Sequence, residues 1–367
     1  MIPRFTFSWP IWIIPIAVLV WGFAVYSFSI PFYDINPDPE YPYLINGMNV
    51  AIGNYSNIGH LDHPGTPFQF YCGFVIKVTH LFTGEGTIAS DVLGNRPEYY
   101  LRAIQASLVI LHALIAFFIG VAAKKRRVNP VFIIILQSAV ILLPWLFLRV
   151  NQERWLMTCS MLLTLVYIAY GLRDRRPRRF AIWSGLIMAM ALATKFNYLP
   201  ILLLPLLLVD TVKNKLIYLG VLAGGYFLFI LPVLENFHYH IDFITGIASH
   251  DGKYGGGEER MFNLEVMKDN FTLIFSENPE IPILITIPGM LLIGSLLDQQ
   301  KRIFSRKALL YFGVLLVIAV QLLMVTKHYA PNYLIPLISV YPLLLFVLYS
   351  QTEDMTGRGK FSFLYQF

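Results

Sequence analysis

The residues best suited to chemistry stand just after the first long apolar run, where three carboxylates lie close together. Asp34, Asp38 and Glu40 belong to the segment FYDINPDPEYPYLINGMNVAIG. The prolines between them fix φ and favour an extended backbone, which holds Asp38 and Glu40 on one side as an i, i+2 pair. A carboxylate just above a membrane is partly desolvated and more basic, which suits a general base. The alternative is a solvated acidic loop, and Asp34, next to the apolar run, is expected to cap or orient.

The same segment continues into a helix and then into a polar turn. Pro42 can begin the helix, whose apolar residues recur at helical spacing until Gly53. In the turn, His60, Asp62 and His63 are either metal ligands or hydrogen-bonding turn residues. Three close ligands in a proline-rich turn favour the second interpretation. We therefore predict substrate contacts here and no obligatory metal, with a divalent metal as the alternative.

Cations suited to holding a phosphate occur at three other places. Lys195 stands between two short apolar runs, where a charge is unfavourable unless it is paired or faces water. For Lys195 we expect phosphate binding, with snorkelling to the interface as the alternative. Arg149 and Arg154 flank a short turn and can clamp a phosphate or anchor the chain at the interface. The same two interpretations apply to Lys327 and His328.

Composition indicates which kind of structural element positions these residues. The 367 residues are 56% hydrophobic and only 14% charged, with a mean hydropathy of +0.60, whereas soluble domains carry about 25% charged residues. This excludes a soluble enzyme, a disordered regulator and a disulfide scaffold. Because about 20 apolar residues cross a bilayer, the pattern predicts an all-α polytopic membrane protein with about ten transmembrane helices, at 10–33, 100–123, 130–148, 155–172, 180–194, 196–209, 216–234, 281–297, 308–326 and 332–349.

The charges predict an orientation for these helices. Of the 28 Lys and Arg residues, 18 fall in every second gap between the apolar runs, while 17 of the 22 acidic residues fall on the opposite side. The positive-inside rule makes the basic side cytoplasmic, with both termini inside, as in a bacterial inner membrane protein. The net charge of +6 is then a consequence of membrane topology and does not indicate nucleic acid binding.

Only two segments are long enough to build a site outside the bilayer, and both fall on the outer face of the single domain, 1–367. They are 34–99, where an interfacial helix is expected at 68–82, and 235–280, which holds a glycine-rich stretch followed by an amphipathic helix. The cytoplasmic loops are short, basic and without a nucleotide-binding motif. The reaction is therefore expected to use a donor already in the membrane, or to be a hydrolysis.

Several short motifs resemble those of the GT-C superfamily of membrane glycosyltransferases, especially protein O-mannosyltransferases and aminoarabinose transferases. Asp38-Pro39-Glu40 stands where the family has an acidic pair after the first span, and Tyr43 and Gly53 follow in the expected order. His63-Pro64-Gly65 is similar to the family's His/Lys-Pro-Pro motif, with glycine in place of the second proline. Ala193-Thr194-Lys195-Phe196 resembles the Thr-Lys turn, and Tyr333-Leu334-Ile335-Pro336 resembles the late Tyr-x-x-Pro motif.

The resemblance implies a fold and a reaction. It implies transfer of a sugar from a polyprenyl-phosphate-linked donor to an acceptor hydroxyl at the periplasmic face, with inversion. Asp38 would be the base and Glu40 the second candidate or an orienting partner, with Lys195 on the donor phosphate and Tyr43 and Tyr333 near the substrate. A glycan, lipid or protein is the expected acceptor, and the bilayer is the other partner. The alternatives are a transporter or flippase of a lipid-linked saccharide and an assembly subunit with a degenerate site.

Overall fold

A computed structural model of the chain describes residues 9–35, 39–59, 63–171, 176–251, 256–297 and 306–356. Within these ranges the protein is all-α, with helices and short 3₁₀ or π segments and no strand. The first eight helices are α1 (Trp9–Phe28), α2 (Phe32–Ile35), α3 (Glu40–Ala51), α4 (Thr66–Thr83), α5 (Ile88–Ser90), α6 (Pro97–Lys125), α7 (Pro130–Gln137) and α8 (Gln152–Val166). The others are α9 (Pro177–Thr194), α10 (Leu203–Leu208), α11 (Val212–Ile230), α12 (Phe237–Ser249), α13 (Leu264–Glu277), α14 (Glu280–Leu297), α15 (Arg306–Lys327) and α16 (Ile335–Thr356).

Six helical segments of the described chain are long and apolar enough to cross a membrane, so the protein is a multi-pass membrane protein. They are Trp9–Phe28, Pro97–Lys125, Val212–Ser249, Glu280–Leu297, Ala308–Lys327 and Pro331–Ser350. Their outward faces carry large apolar side chains, as expected of surfaces that contact lipid.

Four of the ten predicted spans are not among these six, for physical reasons visible in the sequence. The run 130–148 is divided into α7 and two 3₁₀ turns, the second of which begins at Pro144. The run 196–209 is a 3₁₀ helix containing Pro200 followed by the short α10. The other two, 155–172 and 180–194, correspond to α8 and α9, which are helical but too polar or too short to qualify by composition.

The described part of segment 34–99, the predicted first outer loop, is a packed helical unit. The predicted amphipathic helix is present as α3, which begins at Glu40, earlier than Pro42, and ends at Ala51. The prediction of an extended backbone at Glu40 is therefore wrong, because proline is tolerated in a first helical turn, where backbone N–H groups lack intrahelical acceptors. The predicted helix at 68–82 is present as α4, and its exposed face carries Phe74, Leu81 and Phe82.

Two glycines allow α3 and α4 to cross closely. A Cβ placed on Gly47 would lie 2.7 Å from the Cβ of Cys72, and one on Gly73 would lie 2.6 Å from the Cβ of Val50. Any larger residue would force the helices apart, because such contacts are shorter than van der Waals separation. This crossing fixes the start of α3, and with it Glu40 and Tyr43, against the rest of the bundle.

The end of α1 and the start of α2 are held by two residues of α6. Arg102 donates to the carbonyls of Ser29 (3.2 Å) and Ile30 (2.8 Å), and so satisfies acceptors at the end of α1. Glu98 accepts from the backbone N–H of Phe32 at 2.9 Å. These bonds place α2 over the N-terminal end of α6. We call this end of the bundle the site end.

Candidate functional site

The start of α8 is the centre of a polar cluster at the site end of the bundle. Asn151 caps this helix by accepting from the N–H of Arg154 at 3.1 Å. The residues around the cap are buried or half-buried polar groups that contact different parts of the chain. We define the polar cluster as Glu40, Tyr43, His63, Arg149, Gln152, Glu153, Lys195, Asn332 and Tyr333.

Glu40 and Arg149 form a bidentate ion pair that joins α3 to the segment before α8. Nε of Arg149 donates to one carboxylate oxygen of Glu40, and Nη2 donates to the other at 3.1 Å. The N–H of Val150 adds a third contact at 3.3 Å. The Glu40 side chain is 1% exposed and that of Arg149 is 27% exposed. Glu40 is thus a buried acceptor held by Arg149, and the Arg149 guanidinium stays accessible from one side.

Tyr43, His63 and Gln152 form a second contact between the first loop and α8. The Tyr43 hydroxyl donates to Oε1 of Gln152 and lies 3.0 Å from Nε2 of His63. All three side chains are buried. The sequence placed Tyr43 and His63 in the same loop, and the structure joins them directly across 20 residues. They therefore form one hydrogen-bonded unit with Gln152, a residue that the sequence did not single out.

Lys195 is paired with Glu153 at the junction of α8, α9 and α16. Its Nζ donates to Oε1 of Glu153 at 2.5 Å, and Nδ2 of Asn332 donates to the same oxygen at 2.9 Å. The Lys195 ammonium also lies 5.1 Å from the ring centre of Tyr333. The predicted Thr-Lys turn and the predicted Tyr-x-x-Pro motif are thus brought together around one carboxylate. The Glu153 side chain is 3% exposed and that of Lys195 13%.

The turn before α4 is held by two hydrogen bonds, one to the Lys195 turn and one to the end of α11. The N–H of Gly65 donates to the carbonyl of Ala193 at 3.0 Å, and the Thr66 hydroxyl donates to the carbonyl of Phe229 at 2.6 Å. Gly65 has φ of +66°, a left-handed conformation that disfavours any residue with a side chain. The glycine that departs from the family's second proline is therefore required by this turn.

Arg154 does not face the polar cluster. Its side chain is fully buried and donates to the carbonyls of Arg149 (3.0 Å) and Gln105 (3.3 Å). The guanidinium also lies 5.4 Å from the ring centre of Phe147. In this arrangement Arg154 braces the turn that carries Arg149, and it has no exposed surface with which to meet a phosphate.

Lys327 and His328 lie at the same end of the bundle, and Lys327 contacts the end of α12. Nζ of Lys327 donates to the carbonyls of Ile247 (2.6 Å) and Ala248 (2.8 Å). A lysine at these carbonyls stabilises the end of α12, where the helix dipole is negative. Burial and the neighbouring Lys327 charge lower the pKa of His328, so its ring is neutral at pH 7. Both residues remain predictions as phosphate ligands, and Lys327 already has two acceptors.

Three of the predicted site residues lie outside the described part of the chain. These are Asp38, His60 and Asp62. Asp34, the remaining acidic candidate, lies in α2 with an exposed side chain. Within the described residues no group of three or more His, Cys, Asp or Glu side chains is placed to hold a metal ion.

A third buried carboxylate, Asp91, was not anticipated from the sequence. Asp91 accepts from the N–H of Glu85 (2.9 Å), from Nη2 of Arg96 (2.9 Å) and from the Tyr100 hydroxyl (3.2 Å). Nδ1 of His80 lies 3.2 Å from the same oxygen. The hydrogen bond from the backbone of Glu85, together with Arg96, lowers the pKa of Asp91. We call these residues, His80, Asp91, Arg96 and Tyr100, the Asp91 cluster.

The second outer segment is organised by another carboxylate. Asp251 accepts from the N–H of Glu258 at 2.9 Å, from Nδ2 of Asn263 at 3.2 Å and from Nε of Arg260. These bonds join Asp251 to the segment between the glycine-rich stretch and α13. The amphipathic helix predicted after it is present as α13, and Asn270 ties α13 to the carbonyl of Thr326 at 2.9 Å.

The sequence carried one signal that could have identified Glu153. A lysine in an apolar environment needs an anion nearby, and the acidic residue of the Arg149–Arg154 turn was the closest outer carboxylate in the middle of the chain. Its pairing across 42 residues and its contact with Asn332 across 179 residues follow only from the three-dimensional fold.

Comparison of the chain with protein-family models, with curated proteins and with solved structures finds no match. The function proposed next rests on the geometry of the polar cluster and on the order of the motifs along the sequence.

Proposed function

We propose that the protein is a glycosyltransferase of the GT-C type that takes a sugar from a polyprenyl-phosphate-linked donor at the outer face of a membrane. The observation that carries this proposal is the polar cluster itself. Residues from α3, from the turn before α4, from the start of α8, from the end of α9 and from the turn before α16 converge at one end of an apolar bundle. Four of these five segments, all but the start of α8, contain a motif that resembles one of the family.

In the proposed reaction an acceptor hydroxyl attacks the anomeric carbon of the donor sugar. Asp38, two residues before Glu40 in the sequence, takes the hydroxyl proton as the new C–O bond forms. The bond between the anomeric carbon and the phosphate oxygen breaks, and its electron pair remains on that oxygen. Attack opposite the leaving group inverts the configuration. Glu40 holds Arg149 and is the second candidate for the base.

The two accessible cations of the cluster would stabilise the leaving phosphate. Lys195 and Arg149 both retain exposed surface, at 13% and 27% of their side chains. Cations fixed beside an oxygen that gains charge in the transition state are usually the largest contribution to catalysis. The reaction needs neither a nucleotide nor an obligatory metal under this proposal.

The donor's lipid chain requires an apolar surface beside the site. A groove of about 550 Å³ lies between α13, α14 and α15. Its lining includes Met267, Phe271 and Leu322, and it reaches Thr326 at the end of α15. We propose that part of the polyprenyl chain lies here, which places the amphipathic α13 over the chain.

The proposal includes a membrane arrangement finer than the six apolar segments. We propose ten spans, with α7, α8, α9 and the 196–208 segment packed inside the bundle as short or broken crossings. The basic clusters then face the cytoplasm of a bacterial inner membrane, as do both termini, and the polar cluster faces the periplasm. The deep burial of α8, in which most residues from Gln152 to Thr164 are inaccessible, supports an interior position.

The test is transfer of radiolabelled sugar from undecaprenyl-phosphate donors to extractable acceptors in proteoliposomes. We expect Asp38→Asn and Glu40→Gln each to reduce transfer by about 10²-fold, the smaller end of what a positioned acid or base contributes. Asp242→Asn, which changes an exposed carboxylate on α12, is the matched control and keeps wild-type transfer. Full transfer by folded Asp38→Asn and Glu40→Gln proteins contradicts the proposal.

A flippase or transporter of a lipid-linked saccharide is the second candidate. The observation that favours it is the broken helix at 196–208, because transporters place substrate sites at interrupted helices. The same proteoliposome assay distinguishes the two functions. Movement of the labelled lipid between leaflets without a new glycosidic bond supports transport, and a new glycosidic bond supports transfer.

A further inference from the structure

We propose that Glu153 is the resident counter-anion of Lys195, which the donor phosphate displaces on binding and which promotes release of the lipid phosphate after transfer. This inference rests on the proposed function, since it concerns the same phosphate site. It assigns to Glu153 a part in the catalytic cycle that the sequence motifs do not suggest.

The geometry around Glu153 is that of an anion site already filled by a side chain. Nζ of Lys195 at 2.5 Å and Nδ2 of Asn332 at 2.9 Å donate to the same oxygen, Oε1. Two donors from distant segments that converge on one oxygen match the requirements of a phosphate oxygen. The carboxylate therefore occupies the position that a phosphate would take beside Lys195.

The two donors stay in place without Glu153, because another residue fixes their backbone segments. Nε2 of Gln321 in α15 donates to the carbonyl of Asn197 at 3.2 Å and to the carbonyl of Tyr333 at 3.1 Å. Gln321 thus joins the turn after Lys195 to the turn that carries Asn332. When Glu153 rotates away, the donor pair remains convergent and preorganised for another anion.

A second observation concerns buried polar atoms without partners, close to Lys195 in the sequence. Both amide atoms of Asn197, two residues after Lys195, are buried and have no hydrogen-bond partner among the described residues. A buried amide left without partners loses about 1–3 kcal/mol per group. An incoming phosphate with its bound water would supply partners that the ligand-free protein lacks.

Charge explains why a transferase needs such a residue. The Lys195–Glu153 and Arg149–Glu40 pairs are each neutral, so the ligand-free cluster has no excess cation. The donor is a phosphodiester with one negative charge, whereas the product is a phosphomonoester of about −1.5 to −2 at pH 7. A Lys195 left without Glu153 would hold this product more tightly than the donor. Return of Glu153 to Lys195 competes with the product and favours its release.

The experiment measures equilibrium binding of undecaprenyl phosphate to the full chain in nanodiscs. We expect Glu153→Gln to bind at least tenfold more tightly than wild type, and Lys195→Gln to bind more weakly. In transfer assays Glu153→Gln should complete the first turnover at the wild-type rate and then slow, with stronger inhibition by added undecaprenyl phosphate. Glu277→Gln is the control, because Glu277 accepts from Tyr329 at 2.6 Å outside the cluster.

Equal affinity of wild type and Glu153→Gln overturns the inference and leaves the proposed function standing. No detectable binding by either protein overturns both. If Glu153→Gln does not fold, Glu153→Asp decides the question, since it keeps the charge and shortens the side chain by one methylene. Tighter binding by Glu153→Asp than by wild type supports the inference, and unchanged binding contradicts it.

Discussion

Two buried carboxylates at the same end of the bundle take their partners from different parts of the chain. Asp91 takes all its described partners from residues 80–100, so its bonds close one loop on itself. Glu153 takes its partners from 42 and 179 residues away, so its bonds hold separate helices together. A carboxylate whose partners lie in its own loop orders that loop. A carboxylate that accepts from a cation and an amide on separate segments is typical of a site where a ligand bridges those segments.

The largest expected effect comes from removing the cation of the long-range pair. Lys195→Gln leaves Glu153 buried without its charge partner, which is expected to lower stability by about 3–5 kcal/mol and to abolish transfer. Thermal unfolding in nanodiscs and the proteoliposome assay measure the two effects. The double variant Glu153→Gln/Lys195→Gln removes both charges and should recover most of the stability without recovering transfer. A Lys195→Gln protein as stable and active as wild type would contradict the distinction between the two carboxylates.

A smaller effect is expected from the ion pair next to it. Arg149→Lys keeps the charge but removes the bidentate contact with Glu40. Transfer should fall by about tenfold, with a larger effect on kcat than on KM if Arg149 stabilises the leaving phosphate. Steady-state kinetics over a range of donor concentrations measures the split. An effect confined to KM would assign Arg149 to donor binding alone.

For the Asp91 cluster the expected effect is local. Asp91→Asn weakens the contact with Arg96 and should increase protease cleavage between residues 84 and 96, while transfer stays within twofold of wild type. Limited proteolysis measures the cleavage, and the transfer assay on the same preparation measures the activity. Loss of transfer together with an intact loop would place Asp91 in the site and remove the contrast with Glu153.

The Asp91 cluster should also respond to pH. Its partners lower the pKa of Asp91, so its stabilising contribution is fully present above the unfolded-state value of about 3.9. It is lost as the pH falls through the lower native value. Hydrogen exchange of residues 84–96, followed from pH 6 to pH 3, should show increased exchange only at the acidic end. Asp91→Asn removes this pH dependence, and an unchanged profile in that variant would assign the transition to another group.

The smallest effect is expected from carboxylates outside both clusters. Glu277 is exposed and accepts one hydrogen bond, from Tyr329. Glu277→Gln should change neither transfer nor thermal unfolding measurably, because single contacts at exposed positions contribute little to stability. A clear loss of transfer in this variant would indicate that the site extends towards α13.

The sequence predicted the apolar all-α class, the helix after the acidic motif and the region of Lys195, because each depends on local patterns. Periodicity alone identified α3 and α4. It did not reveal that 130–148 is interrupted, since most of the run is apolar and the breaks fall at Gln137 and Ser138 and at Pro144.

The pairings in the site could not be predicted for a different reason. Arg149 and Arg154 have equivalent positions in the sequence, yet one reaches Glu40 and the other is enclosed by backbone carbonyls. Which of two neighbouring cations pairs with a carboxylate depends on packing between distant helices. The same holds for Glu153, whose partners are set by how α9 and α16 meet α8.

The most direct test of the central claim is transfer from undecaprenyl-phosphate-linked sugar by wild type, Asp91→Asn and Lys195→Gln in parallel. The account predicts a labelled product from wild type and Asp91→Asn. Lys195→Gln should give none, even in the charge-balanced Glu153→Gln/Lys195→Gln background. Undiminished transfer by that double variant, or loss of transfer by Asp91→Asn with an ordered loop, would contradict the placement of the site at Glu153 and Lys195.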